Sequence, residues 1–146
     1  MKKIMLLSTF AIFIAFSCEK QEIAATSSLI IGKWLPTYEY QTLNADGKWT
    51  NWTTMSTFVA LPTYEFTSKG RFLWNGQITE NCCMPGSIYK VEGNLISFDY
   101  EKAPDCSMVK CAYSSEKIIE TLDEKTLVLI ENSGRLKYKY TRSDQK

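Results

Sequence analysis

The stretch "YKVEGNLISF" (residues 89–98) decides the fold. Tyr89 and Val91 alternate with Lys90 and Glu92, and Gly93-Asn94 breaks the run. Then Ile96 and Phe98 alternate with Leu95 and Ser97. A period of two places one set of side chains on one face of a strand. Two such runs around a glycine turn form a β-hairpin. The same pattern continues both ways. Upstream is TYEFTSKGRFLW (63–74), with a turn at SKG; downstream is KIIETLDEKTLVLIENSGRLKYKYTR (117–142), with turns at Asp123-Glu124 and Ser133-Gly134.

Working outward gives eight short strands at about 32–42, 62–67, 71–76, 87–92, 94–101, 111–121, 125–131 and 135–142. The composition of that region (Tyr, Thr, Trp, Phe, Ile, Val) favours strands, and no stretch of it shows a helical period. The fold class is therefore all-β, an eight-stranded up-and-down antiparallel meander. Closure into a small barrel removes its two open edges. Alternation turns a set of aromatic side chains inward: Trp34, Tyr38, Tyr40, Tyr64, Phe66, Phe72, Trp74, Tyr89, Phe98, Tyr138 and Tyr140. The run at 111–121 gives no clear inward set, and 127–130 is apolar on both faces.

In such a meander the turns at 68–70, 93 and 123–124 fall at one end, and all are tight. The long connections 43–61, 77–86 and 102–110 fall at the other. Loops on a rigid scaffold are the usual place for binding. An eight-strand barrel either fills its interior with side chains or holds one small ligand. Tyr38, Tyr40, Tyr64, Phe66, Phe72, Trp74, Tyr89, Phe98 and Tyr138 are the candidate lining of a small apolar ligand; the competing reading makes them core. Segment 43–61 carries Trp49, Trp52, Met55 and Phe58. It either displays them to a protein partner or folds back past the Asp46-Gly47 turn, pairs Lys48–Thr53 with the first strand and caps the barrel.

The chain opens MKKIMLLSTFAIFIAFSC. Lys2 and Lys3 precede an apolar run over 4–16, too short for the roughly 20 residues of a membrane span. A basic start, a short apolar core and a small residue at the end describe an export signal. Ser17-Cys18 resembles the lipobox of bacterial lipoproteins, which implies a signal peptide over 1–17 and a lipid-modified Cys18. Residues 18–28 read as lipidated start and tether, 29–142 as the barrel domain and 143–146 as a tail. That places the protein in the cell envelope, anchored to a membrane and most simply the outer one.

The whole chain has a net charge of +1 and no basic stripe, which argues against nucleic acid as a partner. It has no histidine. Ser-His-Asp and Cys-His catalysis and His-ligated zinc are therefore excluded. Glu116, Glu120, Asp123 and Glu124 are the remaining acidic candidates, and as a group they read as solvated. We expect no enzyme, no cofactor and no metal.

With Cys18 assigned to lipid, four cysteines remain: Cys82, Cys83, Cys106 and Cys111. An even number in an exported chain implies disulfides. Neighbouring Cα atoms lie about 3.8 Å apart, too close for a bridge between Cys82 and Cys83. The strand order brings all four to the long-loop end, so two bridges are expected between 82/83 and 106/111, with the pairing open.

Gly32-Lys33-Trp34 at the start of the first strand is a G-x-W. With the meander, and with YEFTSKGRF, YKVEGNLISF and IIETLDEKTLVLIE in order, residues 29–142 resemble the lipocalins, more closely the small lipocalin-like domains of bacterial lipoproteins. The resemblance implies a barrel whose closed end is plugged by Trp34, with Arg142 of the last strand packed on it. The alternative for Arg142 is a solvated charge near the chain end.

Overall fold

The computed structural model describes residues 28–110, 114–131 and 134–143. Its strands are β1 (Gly32–Thr42), β2 (Thr53–Thr54), β3 (Tyr64–Phe66), β4 (Phe72–Trp74), β5 (Ile88–Glu92), β6 (Leu95–Asp99), β7 (Glu116–Leu122), β8 (Thr126–Glu131) and β9 (Leu136–Arg142). Apart from the two-residue β2, they form one antiparallel row in the order β4-β3-β1-β9-β8-β7-β6-β5. Each strand lies beside its chain neighbour, and β1 closes on β9. The ends of the row also meet, because Arg71 bridges Ile88. There the Phe72 amide donates to the Ser87 carbonyl at 2.9 Å, and the Tyr89 amide to the Gly70 carbonyl at 2.9 Å. The result is a nearly closed eight-stranded barrel, narrowest in pairing at the β4–β5 seam.

Alternation explains the core. Trp34, Tyr64, Phe66, Phe72, Val91, Ile96, Phe98, Ile119, Leu127, Leu129 and Tyr140 are buried together, with Ile30. Each large apolar side chain withdrawn from water stabilises the fold by about 1.5–3 kcal/mol. The ambiguous strand resolves here. Lys117 and Ile119 point inward while Ile118 is exposed.

Several boundaries differ from the sequence reading. The strand expected from 111 begins at Glu116 among the described residues, since 111–113 lie outside them. Ser114 shows why: its hydroxyl donates to the Glu116 carbonyl at 2.7 Å and accepts from the Glu116 amide at 3.1 Å. Such local bonds compete with the ladder. The strands expected at 62–67 and 71–76 shorten to β3 and β4. Asn75 ends both, its side chain accepting from the Thr63 amide and its own amide donating to the Thr63 carbonyl, each at 2.9 Å. Residues 28–30 are helical.

Segment 43–61 does fold back on β1, but it does not cap the barrel. The Asn44 side chain accepts from the Asp46 and Lys48 amides, Gly47 takes φ 73°, and Leu43 pairs with Trp49. Leu43 and Lys137 face outward by alternation, so Trp49 lands outside the barrel, its ring 4.0 Å from the Lys137 ammonium. Lys137, 4% exposed, pairs there with Glu120. Further along, Trp52 lies 5.7 Å from the Lys139 ammonium, which pairs with Glu39 at 2.9 Å.

β1 itself is broken. Pro36 has no N–H for the ladder. The register with β9 shifts between Pro36 and Tyr40, and Tyr38 adopts φ 65°.

Candidate functional site

The two ends of the barrel differ in kind. At the tight-turn end, the Trp34 indole is fully buried and donates to the Ile30 carbonyl at 2.8 Å. Arg142 lies over that ring, its guanidinium carbon 4.3 Å from the centroid. Its Nη1 donates to the Ile31 carbonyl at 2.6 Å, its Nε to the Glu124 carbonyl at 2.7 Å, and its Nη2 to the Leu29 carbonyl. Gly32 makes room: a Cβ there would sit 2.5 Å from Arg142 Nη1, and its φ of 139° favours glycine. This end is filled by its own side chains.

The long-loop end is stitched rather than plugged. Cys82 and Cys106 form a disulfide with Cα atoms 5.5 Å apart, which joins the β4–β5 connection to the β6–β7 connection. Cys83 is disulfide-bonded too, while Cys111 lies outside the described residues, as do Cys18 and the rest of 1–27. The Tyr100 hydroxyl lies between the Met84 carbonyl at 2.7 Å and the Asn81 carbonyl at 3.0 Å. Glu80 accepts from the Ser87 hydroxyl at 2.9 Å and from the Lys102 amide at 3.2 Å. Pro85, Gly86 and Ser87 are buried, and Gly86 rests directly on the Asp99 backbone, where a Cβ would meet the Asp99 carbonyl oxygen at 1.8 Å.

This stitching leaves a half-open recess of about 230 Å³, lined by Cys82, Met84, Pro85, Gly86, Phe98, Tyr100, Cys106 and Ser115. Its lining brings together the disulfide pair, a methionine, a proline, two aromatic residues and a serine. Pockets for drug-sized ligands span roughly 300–1,000 Å³, so this one suits a smaller molecule.

Inside the barrel lies a polar cluster that strand alternation alone does not announce. Lys117, 1% exposed, projects inward from β7 and pairs with Glu131, its cross-strand partner on β8. Its ammonium is 5.9 Å from the centre of the Tyr64 ring. Tyr64 stacks on Tyr140 at 4.8 Å. Burial pulls the Lys117 pKa below its usual value, against the opposing pull of Glu131. Burial pushes the Tyr64 phenol well up, with Tyr140, Glu131 and Tyr138 adding to it. Tyr138 is raised as well, chiefly by burial and then by Glu131 and Tyr40.

The nine candidate ligand residues divide. Phe98 lines the cavity. Tyr64, Phe66 and Phe72 are core, with Phe72 4.8 Å from Phe98 and 5.2 Å from Phe66, ring centre to ring centre. Trp74, Tyr89 and Tyr138 pack half-buried against that core, and Tyr89 donates to the Thr67 carbonyl at 2.9 Å on the tight-turn side. Tyr38 and Tyr40 flank the break in β1. Of the acidic candidates, Glu120 holds Lys137 on the outer face, Glu116 is exposed, and Asp123 caps the β7–β8 turn by accepting from the Lys125 and Thr126 amides at 2.8 and 2.7 Å.

Lys117, Glu131, Met84, Tyr100 and Ser115 were missed as site residues. For the ion pair a signal existed. Counting outward from the Asp123-Glu124 turn puts 117 opposite 131 once the one-residue bulge between Ile119 and Thr121 is included. Among the described residues, no group of three or more Cys, Asp or Glu is placed to hold a metal ion.

No family model, no curated protein and no solved structure matches this chain.

Proposed function

We propose that this protein is a lipid-anchored lipocalin-like barrel of the cell envelope that binds a small apolar ligand at its disulfide-stitched mouth. One observation carries the binding reading: the cavity of about 230 Å³ whose walls are the Cys82–Cys106 disulfide, Met84, Pro85, Phe98 and Tyr100. An apolar recess with few, placed polar groups is the usual form of a small-molecule site. The anchor rests on the sequence of residues 1–18 and on its resemblance to a lipobox. Native mass spectrometry of the protein extracted from membranes tests both parts. The expected chain begins at an acylated Cys18 and carries a bound small molecule, which is lost in Ser115→Phe, where a ring fills the cavity. An unacylated chain, or one whose bound mass survives Ser115→Phe, would sink the corresponding part.

A second reading has its own observation. Phe58 and Met108 are fully exposed, Val59 is largely so, and Ile78 and Val109 are half-exposed, all on the three long connections at the mouth. Apolar tips of that kind suit a protein-interaction module in which the mouth meets a partner and no ligand is carried. Crosslinking on cells separates the readings. A partner lost in Phe58→Ser with Met108→Ser, from a protein that carries no ligand, favours the second.

A further inference from the structure

We infer that the β4–β5 seam is a gate: it opens as a local unit while the rest of the barrel stays folded, and the Arg71–Glu101 ion pair is its latch. The inference goes beyond the mouth-binding reading and does not depend on a ligand being carried.

The seam is the least paired line of the barrel. β1 and β9 run side by side from Trp34–Arg142 to Thr42–Leu136, and β8 and β9 from Thr126–Thr141 to Ile130–Lys137. β4 and β5 meet only at the isolated bridge Arg71–Ile88. Its backbone hydrogen bonds run from the Phe72 amide to the Ser87 carbonyl and from the Tyr89 amide to the Gly70 carbonyl. The ladder does not extend either way. Toward the mouth, the register sets Trp74 opposite Pro85. The Trp74 amide already donates to the Gln77 carbonyl at 2.9 Å, and Pro85 has no amide to offer. Toward the closed end, the Gly70 amide turns back to the Thr67 carbonyl at 3.1 Å.

What else closes the seam is suited to part and re-form. From outside, the two terminal nitrogens of Arg71 each meet one carboxylate oxygen of Glu101 at 2.7 Å, reaching past β5 to the chain that follows β6. Both side chains are more than a third exposed, so water takes up both charges when the pair breaks. From inside, aromatic rings meet across the seam, Phe72 on Phe98 at 4.8 Å and Phe66 on Tyr89 at 5.0 Å between centres. Rings separate without leaving a polar group unpaired. The Tyr89 hydroxyl adds one bond, to the Thr67 carbonyl at 2.9 Å. A segment held by few backbone pairings opens before the rest of a fold does. The opening bears on the mouth, because Pro85 and Gly86 line the recess and lead directly into Ser87, the acceptor at the seam.

The test is amide hydrogen exchange of the purified full-length chain, read residue by residue by NMR and corrected for intrinsic rates. The Ile119 amide, which donates to the Asn94 carbonyl at 2.7 Å, is the reference. The Phe72 and Tyr89 amides should exchange together and at least about a hundredfold faster than Ile119, within the spread between local and global opening. Arg71→Gln or Glu101→Gln should speed both seam amides by about two- to fivefold, the scale of one exposed ion pair. The double substitution should do no more than either alone, because the two residues act as one latch. Ile119 should keep its rate throughout. Lys90→Gln is the control: its partner Glu92 lies on the same strand, so that pair does not cross the seam, and the seam rates should hold. If Phe72 and Tyr89 exchange as slowly as Ile119, there is no gate and the inference is overturned. It is overturned equally if the Arg71 and Glu101 variants leave the seam rates alone, speed Ile119 as much, add in the double variant, or are matched by Lys90→Gln.

Discussion

At the closed end, Arg142 directs three donors to the backbone carbonyls of Leu29, Ile31 and Glu124 and lays its plane on Trp34. At the mouth, a covalent bond between Cys82 and Cys106 joins the β4–β5 connection to the β6–β7 connection. The first end is held by packing and hydrogen bonds among groups the fold has already buried. The second is held by a constraint imposed on chain that would otherwise be loose. Close packing leaves no room for a guest at the first end, whereas a staple between loops can leave a recess behind it, and here it does.

The sharpest way to break this comparison is to remove the central piece of each end. Trp34→Ala leaves a cavity at a fully buried position. It should cost about 3–5 kcal/mol, the range for large aromatic side chains in a core. Urea denaturation followed by far-UV circular dichroism measures it. Replacing Cys82 and Cys106 by serine frees a loop spanning 24 residues, which the loop-entropy model values at up to about 3.5 kcal/mol. The two losses are similar in size and differ in kind. The cysteine variant should keep its barrel and lose ligand uptake, whereas Trp34→Ala should weaken the whole fold with the mouth chemistry unchanged at low temperature. Equal loss of ligand in both variants would erase the distinction between the ends.

How legible each end was depends on the same contrast. The closed end is built from strand termini, and alternation reads those directly. Trp34 and Arg142 share an inward parity, and they turn out to be register partners. The hairpins at 64–74 and 89–98 were legible for the same reason, since a period of two and a glycine turn leave little choice. The mouth is built from loops, where no period exists. That Tyr100 would hold the Met84 carbonyl, or that Gly86 would lie against Asp99, depends on contacts between segments about fifteen residues apart in sequence. Strand 116–122 was opaque for another reason. Its inward residue is a lysine, so the hydrophobic pattern that assigns faces is missing at the position that matters most. The return of segment 43–61 onto the first strand past Asp46-Gly47 was legible, but its face was not, because alternation gives a face only relative to a strand, and Trp49 takes the outward parity of Leu43.

Two glycines, one at each end, sharpen the comparison at smaller amplitude. A methyl group at Gly86 would meet the Asp99 backbone at 1.8 to 2.7 Å, and backbone held in register with Ile88 cannot step aside. A methyl group at Gly32 would meet the far end of the Arg142 side chain at 2.5 Å, which can shift, though φ 139° adds strain. Gly86→Ala should therefore destabilise by about 3 kcal/mol, at the upper end of overpacking. Gly32→Ala should cost about 1–2 kcal/mol, the range for a residue held in an unfavourable backbone region. Denaturant midpoints at fixed slope give both values, and the reverse order would show that the closed end is the more rigid of the two.

The smallest effect is electrostatic and belongs to the polar cluster beneath the mouth. Tyr64, Tyr89 and Tyr138 all have phenols raised above the usual value, with burial as the first cause. Below pH about 10 they are protonated in both folded and unfolded chain and contribute no slope. Above it the unfolded phenols ionise and the folded ones do not, so the folded state holds more protons and stability falls as pH rises. Lys117 acts with the opposite sign. Its folded value is lowered by burial, so between that value and the ordinary lysine value the unfolded chain holds more protons, and stability climbs with pH. Each fully engaged group gives a slope of about 1.4 kcal/mol per pH unit, and near pH 10 the two slopes partly cancel. Single substitutions separate them. Tyr64→Phe should flatten the fall above pH 10, and Lys117→Met should remove the climb below it, in stability measured by urea titration from pH 8 to 11. Arg142 holds the opposite end of the barrel through the Leu29, Ile31 and Glu124 carbonyls, so Arg142→Met should lower the whole curve without changing its shape. A change of shape in that variant would mean that the closed end and the polar cluster are one electrostatic unit.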